Sequence, residues 1–407
     1  MTLRRRLPYN VLVLTERLEF VPERDAETFA AVPAAPAVFL LRGDDAHSEP
    51  YVSKTANLRR RLLRLLGPVE ERTKRLSLRG RVRWIEFART GSDFESGFLL
   101  YRTLRDVFPK NYGERLRFRF ASLVKLHLEN EFPRASVTTR LGRVDGPARY
   151  YGPFLSRAAA EKFMNDSLDF FKMRRCVDDL HPDPSFPGCM YSDMKMCLAP
   201  CFRGCSDAEY SGEVARVQAY FDSGGHTLVR ETSAQRDAAA EKLAFEDAAA
   251  IHVRVEKLKS ATAQLPEWVR RIDQWRAVMV QPSPVPKAVA LFEVRGGVIG
   301  SAIAFSPEPS EHTKSQSLEA RLREALESAP QGERVSALET MEHVALLKRW
   351  LYRTHRTGEI FLANERGELP MRRIVRGIGR VLRGELAELG SSEAGETGLP
   401  QRNLWPS

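Results

Sequence analysis

The stretch that decides the fold is Tyr51-Val52-Ser53-Lys54-Thr55-Ala56-Asn57-Leu58-Arg59-Arg60-Arg61-Leu62. It opens as a short strand, Tyr51 to Ser53. It then turns at Asn57, whose side-chain carbonyl suits the free amides at a helix start. A basic helix is predicted from about Leu58 to Leu66, ended by Gly67 and Pro68. Upstream, residues 37–42 (Ala-Val-Phe-Leu-Leu-Arg) read as a second strand, across the polar turn Gly43–Pro50. Downstream, Arg81–Ala88 alternates like a third strand, and Ser96–Val107 reads as a helix stopped by Pro109. Strands and helices interleaved over so short a span predict a small mixed α/β module.

Charge gives this module a direction. The chain has 407 residues, 43% hydrophobic, with a formal net charge of +10. Between Lys54 and Arg89 twelve basic residues face three acidic ones, Glu70, Glu71 and Glu86, a local +9. The basic set includes Arg59, Arg60, Arg61, Arg64, Arg72, Lys74, Arg75, Arg79, Arg81 and Arg83. Concentrated positive charge suits a phosphate backbone, because each neutralised phosphate releases condensed counterions. A solvated basic face, or a patch for an acidic protein, is the competing reading. No apolar run approaches the roughly 20 residues that span a bilayer, and Val11–Leu14 is too short for a signal-peptide core. A cytoplasmic chain is the expectation.

Beyond the module, residues 116–140 are mixed, Tyr150–Phe154 reads as a tight turn, and Ser156 starts a helix reaching toward Arg175. Ser206 and Glu209 form a capping box. The helix it opens ends at Gly224-Gly225, and a longer helical region runs from about Leu228 to Ser260, suggesting an antiparallel pair. Phe245 lies on its apolar stripe and reads first as core. Pro282–Pro286 looks like a linker, followed by a hairpin around Gly296-Gly297, a helix (Ala337–Tyr352), a strand (Glu359–Ala363) and a basic helix (Arg372–Arg383). The fold class is therefore α+β and multi-domain. The expected boundaries are an extension (1–30), the α/β module (31–115), a connecting region (116–205), a helical hairpin (206–262), a C-terminal α/β region (263–389) and a disordered tail (390–407). No internal repeat, Walker A, HExxH or Gly-x-Ser-x-Gly signature occurs, and the eight histidines are scattered.

All five cysteines, Cys176, Cys189, Cys197, Cys201 and Cys205, fall within one 30-residue window. An odd number so clustered points to a metal centre rather than to a disulfide framework.

Three stretches, in order, resemble the N-terminal half of the bacterial excision-repair nuclease subunit UvrC. Pro36-Ala-Val-Phe-Leu-Leu with Tyr51 to Leu62 is similar to its GIY-YIG nuclease module. Phe132-Pro133-Arg134, Tyr151-Gly152-Pro153-Phe154 and the run ending Cys197-Leu-Ala-Pro-Cys201 resemble the segment whose four cysteines hold an iron–sulfur cluster. Residues 238–249, Ala-Ala-Ala-Glu-Lys-Leu-Ala-Phe245-Glu-Asp-Ala248-Ala249, look like the UVR motif that docks on the helicase subunit UvrB. The architecture is closest to short homologues of the Cho type. The resemblance implies a site built from Phe39, Tyr51, Lys54 and Arg61, with Tyr51 as base and Arg61 on the phosphate. Around it, Arg59, Arg60, Arg64, Arg79, Arg81 and Arg83 are expected to face DNA. It further implies a [4Fe–4S] cluster on Cys176, Cys189, Cys197 and Cys201, with Cys205 as a spare or substitute and zinc as the alternative. Phe245, Ala248 and Ala249 would form the helicase contact.

The departures matter equally. Ala37 and Phe39 replace the Gly and Tyr of the family's first motif, and Ser53 replaces a Gly. Where the family carries its metal-binding Glu, this chain has Leu100 or Tyr101, and Asn111 precedes Tyr112 in exchanged order. Glu95 and Asp106 are wrongly phased to substitute. Two readings follow: a Cho-like endonuclease using Mg²⁺ or Mn²⁺, or a DNA-binding adaptor without catalysis. A structural RNA-associated protein is a weaker third.

Overall fold

Alternation along one central strand divides the N-terminal module into two packed faces. The computed structural model describes residues 14–45, 48–68, 76–143, 146–178, 180–263, 265–309, 315–328 and 335–385. Arg72, Lys74, Arg75 and the tail 390–407 lie outside them. The first elements are β1 (Glu16–Glu19), α1 (Asp25–Ala31), β2 (Ala37–Arg42), β3 (Tyr51–Thr55), α2 (Leu58–Leu66), β4 (Trp84–Arg89), α3 (Asp93–Val107) and α4 (Tyr112–Leu116). The strands form an antiparallel sheet in the order β1-β4-β2-β3. From β2, Ala37, Phe39 and Leu41 enter a core with Phe20, Phe29, Leu58 and Leu62, while Val38 and Leu40 enter another with Phe94, Phe98 and Leu104 of α3. A strand covered on both faces reads as a continuous apolar run, as 37–41 does.

Three boundaries differ from expectation. β1 and α1 lie within the stretch read as an N-terminal extension, and β1 is hydrogen-bonded to β4. The third strand begins at Trp84, so Arg79, Arg81 and Arg83 precede it rather than alternating along it. Helix α3 begins at Asp93, where the Ser92 side chain accepts the Glu95 amide.

The second unit comprises β5 (Ser122–Leu126), β6 (Ala135–Thr138), β7 (Arg149–Phe154), α5 (Arg157–Leu168), α6 (Met190–Asp193), α7 (Asp207–Asp222), α8 (His226–Glu241), α9 (Phe245–Ala263) and β8 (Arg270–Arg271), with the sheet order β6-β5-β7-β8. Tyr150–Phe154 is thus a strand, not a tight turn. Tyr151 stacks toward Phe221 of α7 and Phe154 toward Phe163 of α5, and this aromatic burial overrides the Gly-Pro turn signal. The capping box at Ser206 and Glu209 is formed. The expected long helix breaks at Leu243, which has φ 59°; the Ala244 amide reaches Ala239 O and the Leu243 amide reaches Ala240 O. Those two bonds are a Schellman closure. The antiparallel pair is therefore α8 and α9, and Gly224-Gly225 joins α7 to α8.

The third unit contains β9 (Arg276–Pro282), β10 (Val289–Arg295), β11 (Val298–Ile299), β12 (Ile303–Phe305), α10 (Leu318–Glu327), α11 (Ala337–Leu351), β13 (Glu359–Leu362) and α12 (Met371–Leu382). Its sheet runs β11-β10-β9-β13, with β12 also on β10. Pro282–Pro286, read as a linker, is the connection of the β9–β10 hairpin.

Helix α3 packs between the first sheet and this third unit. Phe94 meets Phe292 edge-on at 5.3 Å and Trp350 at 6.0 Å. The polar side chains that α3 sends into the seam have partners. Tyr101 and Tyr112 each donate a 2.8 Å hydrogen bond to the Glu342 carboxylate, and Arg105 reaches Glu339 at 2.8 Å. His343, 4% exposed, accepts the Ile299 amide on Nδ1 and faces the rings of Phe98 and Tyr101. Burial pushes its pKa down to about 3, with Arg105 and Arg102 acting in the same direction. Below about pH 6.5 the unfolded chain takes up a proton that the folded chain refuses. Folding stability should therefore fall from about pH 6.5 toward 3, by at most about 1.4 kcal/mol per pH unit from this group. Denaturant melts across that range should show His343→Gln flattening the slope; an unchanged slope would remove His343 as its source.

Candidate nucleic-acid interface and cysteine cluster

β3 is an outer strand of the first sheet, so side chains from both faces meet at its edge. On the α2 face, Arg61 donates to the Tyr51 hydroxyl at 3.0 Å, and the Tyr51 ring lies 6.0 Å from Phe39. Lys54 belongs to the other face, where its ammonium ion-pairs with Asp93 at the start of α3. Arg353, just beyond α11, holds the second Asp93 oxygen at 2.5 Å. The four residues assigned to one site thus divide across the strand, three on one face and Lys54 on the other. Asp93 and Arg353 escaped the sequence reading; only the Ser-Asp step of a helix start hinted at the first. Burial pulls the Asp93 carboxyl up, but Lys54 and Arg353 together outweigh it and hold it below the usual carboxylate range.

Neither candidate position for the metal-binding Glu faces the solvent. Leu100 is 4% exposed and Tyr101 1%, and the Tyr101 hydroxyl is committed to Glu342. The neighbouring carboxylates are committed too. Asp93 lies between two cations, Glu95 accepts the Gly91 amide at 2.7 Å, and Glu342 accepts two tyrosines. Burial raises the Glu95 carboxyl against the pull of that amide.

The basic surface is smaller than the residue count suggested. Arg59 donates to Val32 O at 2.8 Å and to Ala30 O. Arg79 ties Asp25, Leu66 O and Pro22 O together at 2.6 to 2.7 Å. Arg83 pairs with Glu19. Arg59 and Arg79 thus brace α1 and the turn before it against α2, and Arg83 ties β1 to the segment before β4, so all three already have intramolecular partners. Arg60, Arg64 and Arg81 are exposed and, among the described residues, make no side-chain hydrogen bond or ion pair.

The cysteines lie between α5 and α7, and all five are free and partly buried. The backbone turns tightly here: Lys195, Ala199 and Arg203, four residues apart, have φ of 56°, 58° and 58°. Each such residue costs about 1–2 kcal/mol, so the loop folds around Cys197 and Cys201 under strain. Burial pushes the Cys197 thiol up to about 11; Cys176, Cys201 and Cys189 add to this, while the Ala199 amide opposes it. The charges of the other three sulfurs thus reach Cys197. Cys205 senses chiefly Glu209, Asp207 and Cys201. Among the described residues, no three Cys, His, Asp or Glu side chains converge closely enough to hold an ion as they stand. The donors still suit a thiolate centre: the Ala199 amide lies 3.3 Å from the Cys197 sulfur and Arg174 Nη1 3.4 Å from that of Cys176.

At the turn of the α8–α9 hairpin, Leu243 is 72% and Phe245 66% exposed, so Phe245 is not core. Ala249 is exposed and Ala248 half-buried, while Val255 and Leu258 anchor the base of α9. No helix among the described residues is long and apolar enough to cross a membrane.

The chain thus combines a basic α/β module, a cysteine-bearing α+β unit and a helical hairpin with an exposed apolar tip. Residues 123–220, spanning β5 to α7 and every cysteine, match the family "UvrC/Cho excinuclease, middle domain". The chain is similar to UvrABC system protein C of Trichlorobacter lovleyi, 31% identical over 230 residues, which is 55% of this chain and 36% of that protein. It is 26% identical to the protein of the same name from Haemophilus ducreyi over 292 residues, 71% of this chain and 47% of the relative. For Stenotrophomonas maltophilia the values are 28% over 240 residues, 59% and 38%. The resemblance to UvrC thus holds, and the chain spans less than half the length of these relatives. No solved structure matches.

Proposed function

We propose that the chain is a DNA-binding adaptor of nucleotide excision repair, built on the UvrC plan without a working nuclease centre. The observation that carries this reading is Tyr101. At the two positions where the resemblance could place a metal-binding Glu stand Leu100 and Tyr101, both buried, the phenol bonded to Glu342, and Asp93, Glu95 and Glu342 already have partners. Without a carboxylate to hold Mg²⁺ on the leaving oxygen, several kcal/mol of transition-state stabilisation is lost. The nuclease reading retains one supporting contact, Arg61 to Tyr51. A plasmid-nicking assay with Mg²⁺ and Mn²⁺, with and without a UvrB-type helicase, separates the two. The adaptor binds DNA without nicking it, and its affinity falls with salt at a log–log slope near −3 if about three phosphates are neutralised. Nicking that Tyr51→Phe abolishes would establish the nuclease instead.

The cysteine loop is proposed to hold a metal centre on Cys176, Cys189, Cys197 and Cys201, as [4Fe–4S] or, second, as zinc. Such a centre would tie together loop segments that are otherwise far apart in sequence and compensate the left-handed residues. Purified anaerobically, the protein is expected to contain iron or zinc and to melt at lower temperature as Cys197→Ser. Absence of both metals together with an unaltered melting temperature would overturn the assignment.

The hairpin tip supplies the helicase contact in this reading, since Leu243 and Phe245 are apolar, exposed and adjacent. Phe245→Ala combined with Ala249→Glu should abolish capture by a UvrB-type protein. Undiminished capture by the folded double variant would move the contact elsewhere.

A further inference from the structure

Asp93 is held by one cation from each of two units: Lys54 from the first sheet and Arg353 from the segment after α11. One carboxylate can balance only one of these charges. Arg349 adds a third, near enough for both Arg353 and Asp93 to act on it. This corner belongs to a second basic concentration in the sequence, Lys348-Arg349-Trp-Leu-Tyr-Arg353-Thr-His355-Arg356, with no acidic residue from His343 to Gly358. Compensation of the helix dipole explains Lys348 and Arg349 in the last turn of α11. It does not explain Arg353, which lies past the helix end. Arg356 is employed otherwise, over the rings of Trp268 and Trp350 and on Leu351 O.

We infer that Lys54 and Arg353, supported by Arg349, form a jaw for a backbone phosphate of nucleic acid, and that Asp93 occupies it in the free protein. The Asp93 carboxylate presents one oxygen to each cation, as the two free oxygens of a phosphodiester would. The jaw opens on the Arg353 side: the Asp93 side chain is 48% exposed and that of Arg353 37%, while Lys54, 18% exposed, forms its floor. The Asp93–Arg353 pair, being this exposed, adds little to stability, so a phosphate displaces the carboxylate from Arg353 at small cost. Its place at the edge of β3 lets a strand touching Arg60 and Arg64 on α2 continue around the edge onto the third unit. The inference rests on the nucleic-acid reading above and adds a contact made jointly by two units.

The test is binding of a short labelled DNA duplex by the full-length chain across a salt series, with melting temperatures measured in parallel. Asp93→Asn should tighten binding about twofold to fivefold, the scale of one exposed ion pair. Arg353→Gln should weaken it and reduce the salt slope by about 0.9, one phosphate. If Arg353→Gln lowers the melting temperature, Arg349→Gln, which leaves the Asp93 pairs intact, must still weaken binding. Asp93→Asn that binds no tighter, or an Arg353→Gln slope equal to the wild type, overturns the jaw. If Arg60→Ala with Arg64→Ala abolishes binding in that case, the DNA reading survives alone. Wild-type protein with no salt-dependent affinity removes both.

Discussion

Burial of helix α3 on two sides is the constraint on which the rest of the molecule depends. Phe94 and Phe98 join Val38 and Leu40 of the first sheet to Phe292 of β10 in one core, and Tyr101 and Arg105 meet Glu342 and Glu339 of α11. A helix so enclosed presents little surface on which a hydrated metal ion could be held. It also makes the residue at 101 answer to Glu342, 241 positions away, rather than to a substrate. A Glu at 101 would bury a second carboxylate against Glu342, with Glu339 close by, a like-charge contact in a low dielectric that a phenol donor avoids.

Bracing by arginine explains why the charge count overstates the free basic surface. Arginine is suited to gathering several backbone carbonyls, because its planar fork offers five donors. Arg59 and Arg79 spend that capacity on Ala30, Val32, Leu66 and Pro22, joining the N-terminal elements to α2. A positive residue in the sequence is therefore either a brace or a phosphate contact, and only the fold distinguishes them. Arg60 and Arg64 point away from the core because they alternate with Leu58, Leu62, Leu65 and Leu66 around α2.

This separation shows what was legible in the chain. Local signals were read correctly: Asn57 caps α2, Ser206 and Glu209 form their box, and β2 runs through five apolar residues. Signals of conformation without context misled. Gly152-Pro153 suggested a turn, yet Tyr151 and Phe154 bury on either side and make a strand. Leu243 hid a helix end because the left-handed position usually carries Gly, and here carries Leu. The third unit was recognised as α/β, but its packing on α3 was not. Tyr101, Asp93, Glu342 and Arg353 meet only after long loops close, and no periodicity encodes such pairs.

The division of Phe39, Tyr51 and Arg61 from Lys54 has one further consequence. A phosphoryl-transfer centre needs its base and its metal on opposite sides of the phosphorus, in line with the bond that breaks, and a cation within reach of the non-bridging oxygens. In this chain the hydroxyl–guanidinium pair lies on the α2 face, while Lys54 is turned toward Asp93 at the α3 face. Positive charge is thereby spread around the edge of a strand rather than focused at one atom. Spread charge is what backbone holding requires, since affinity for a polyanion depends on how many phosphates are neutralised, not on how tightly one of them is gripped.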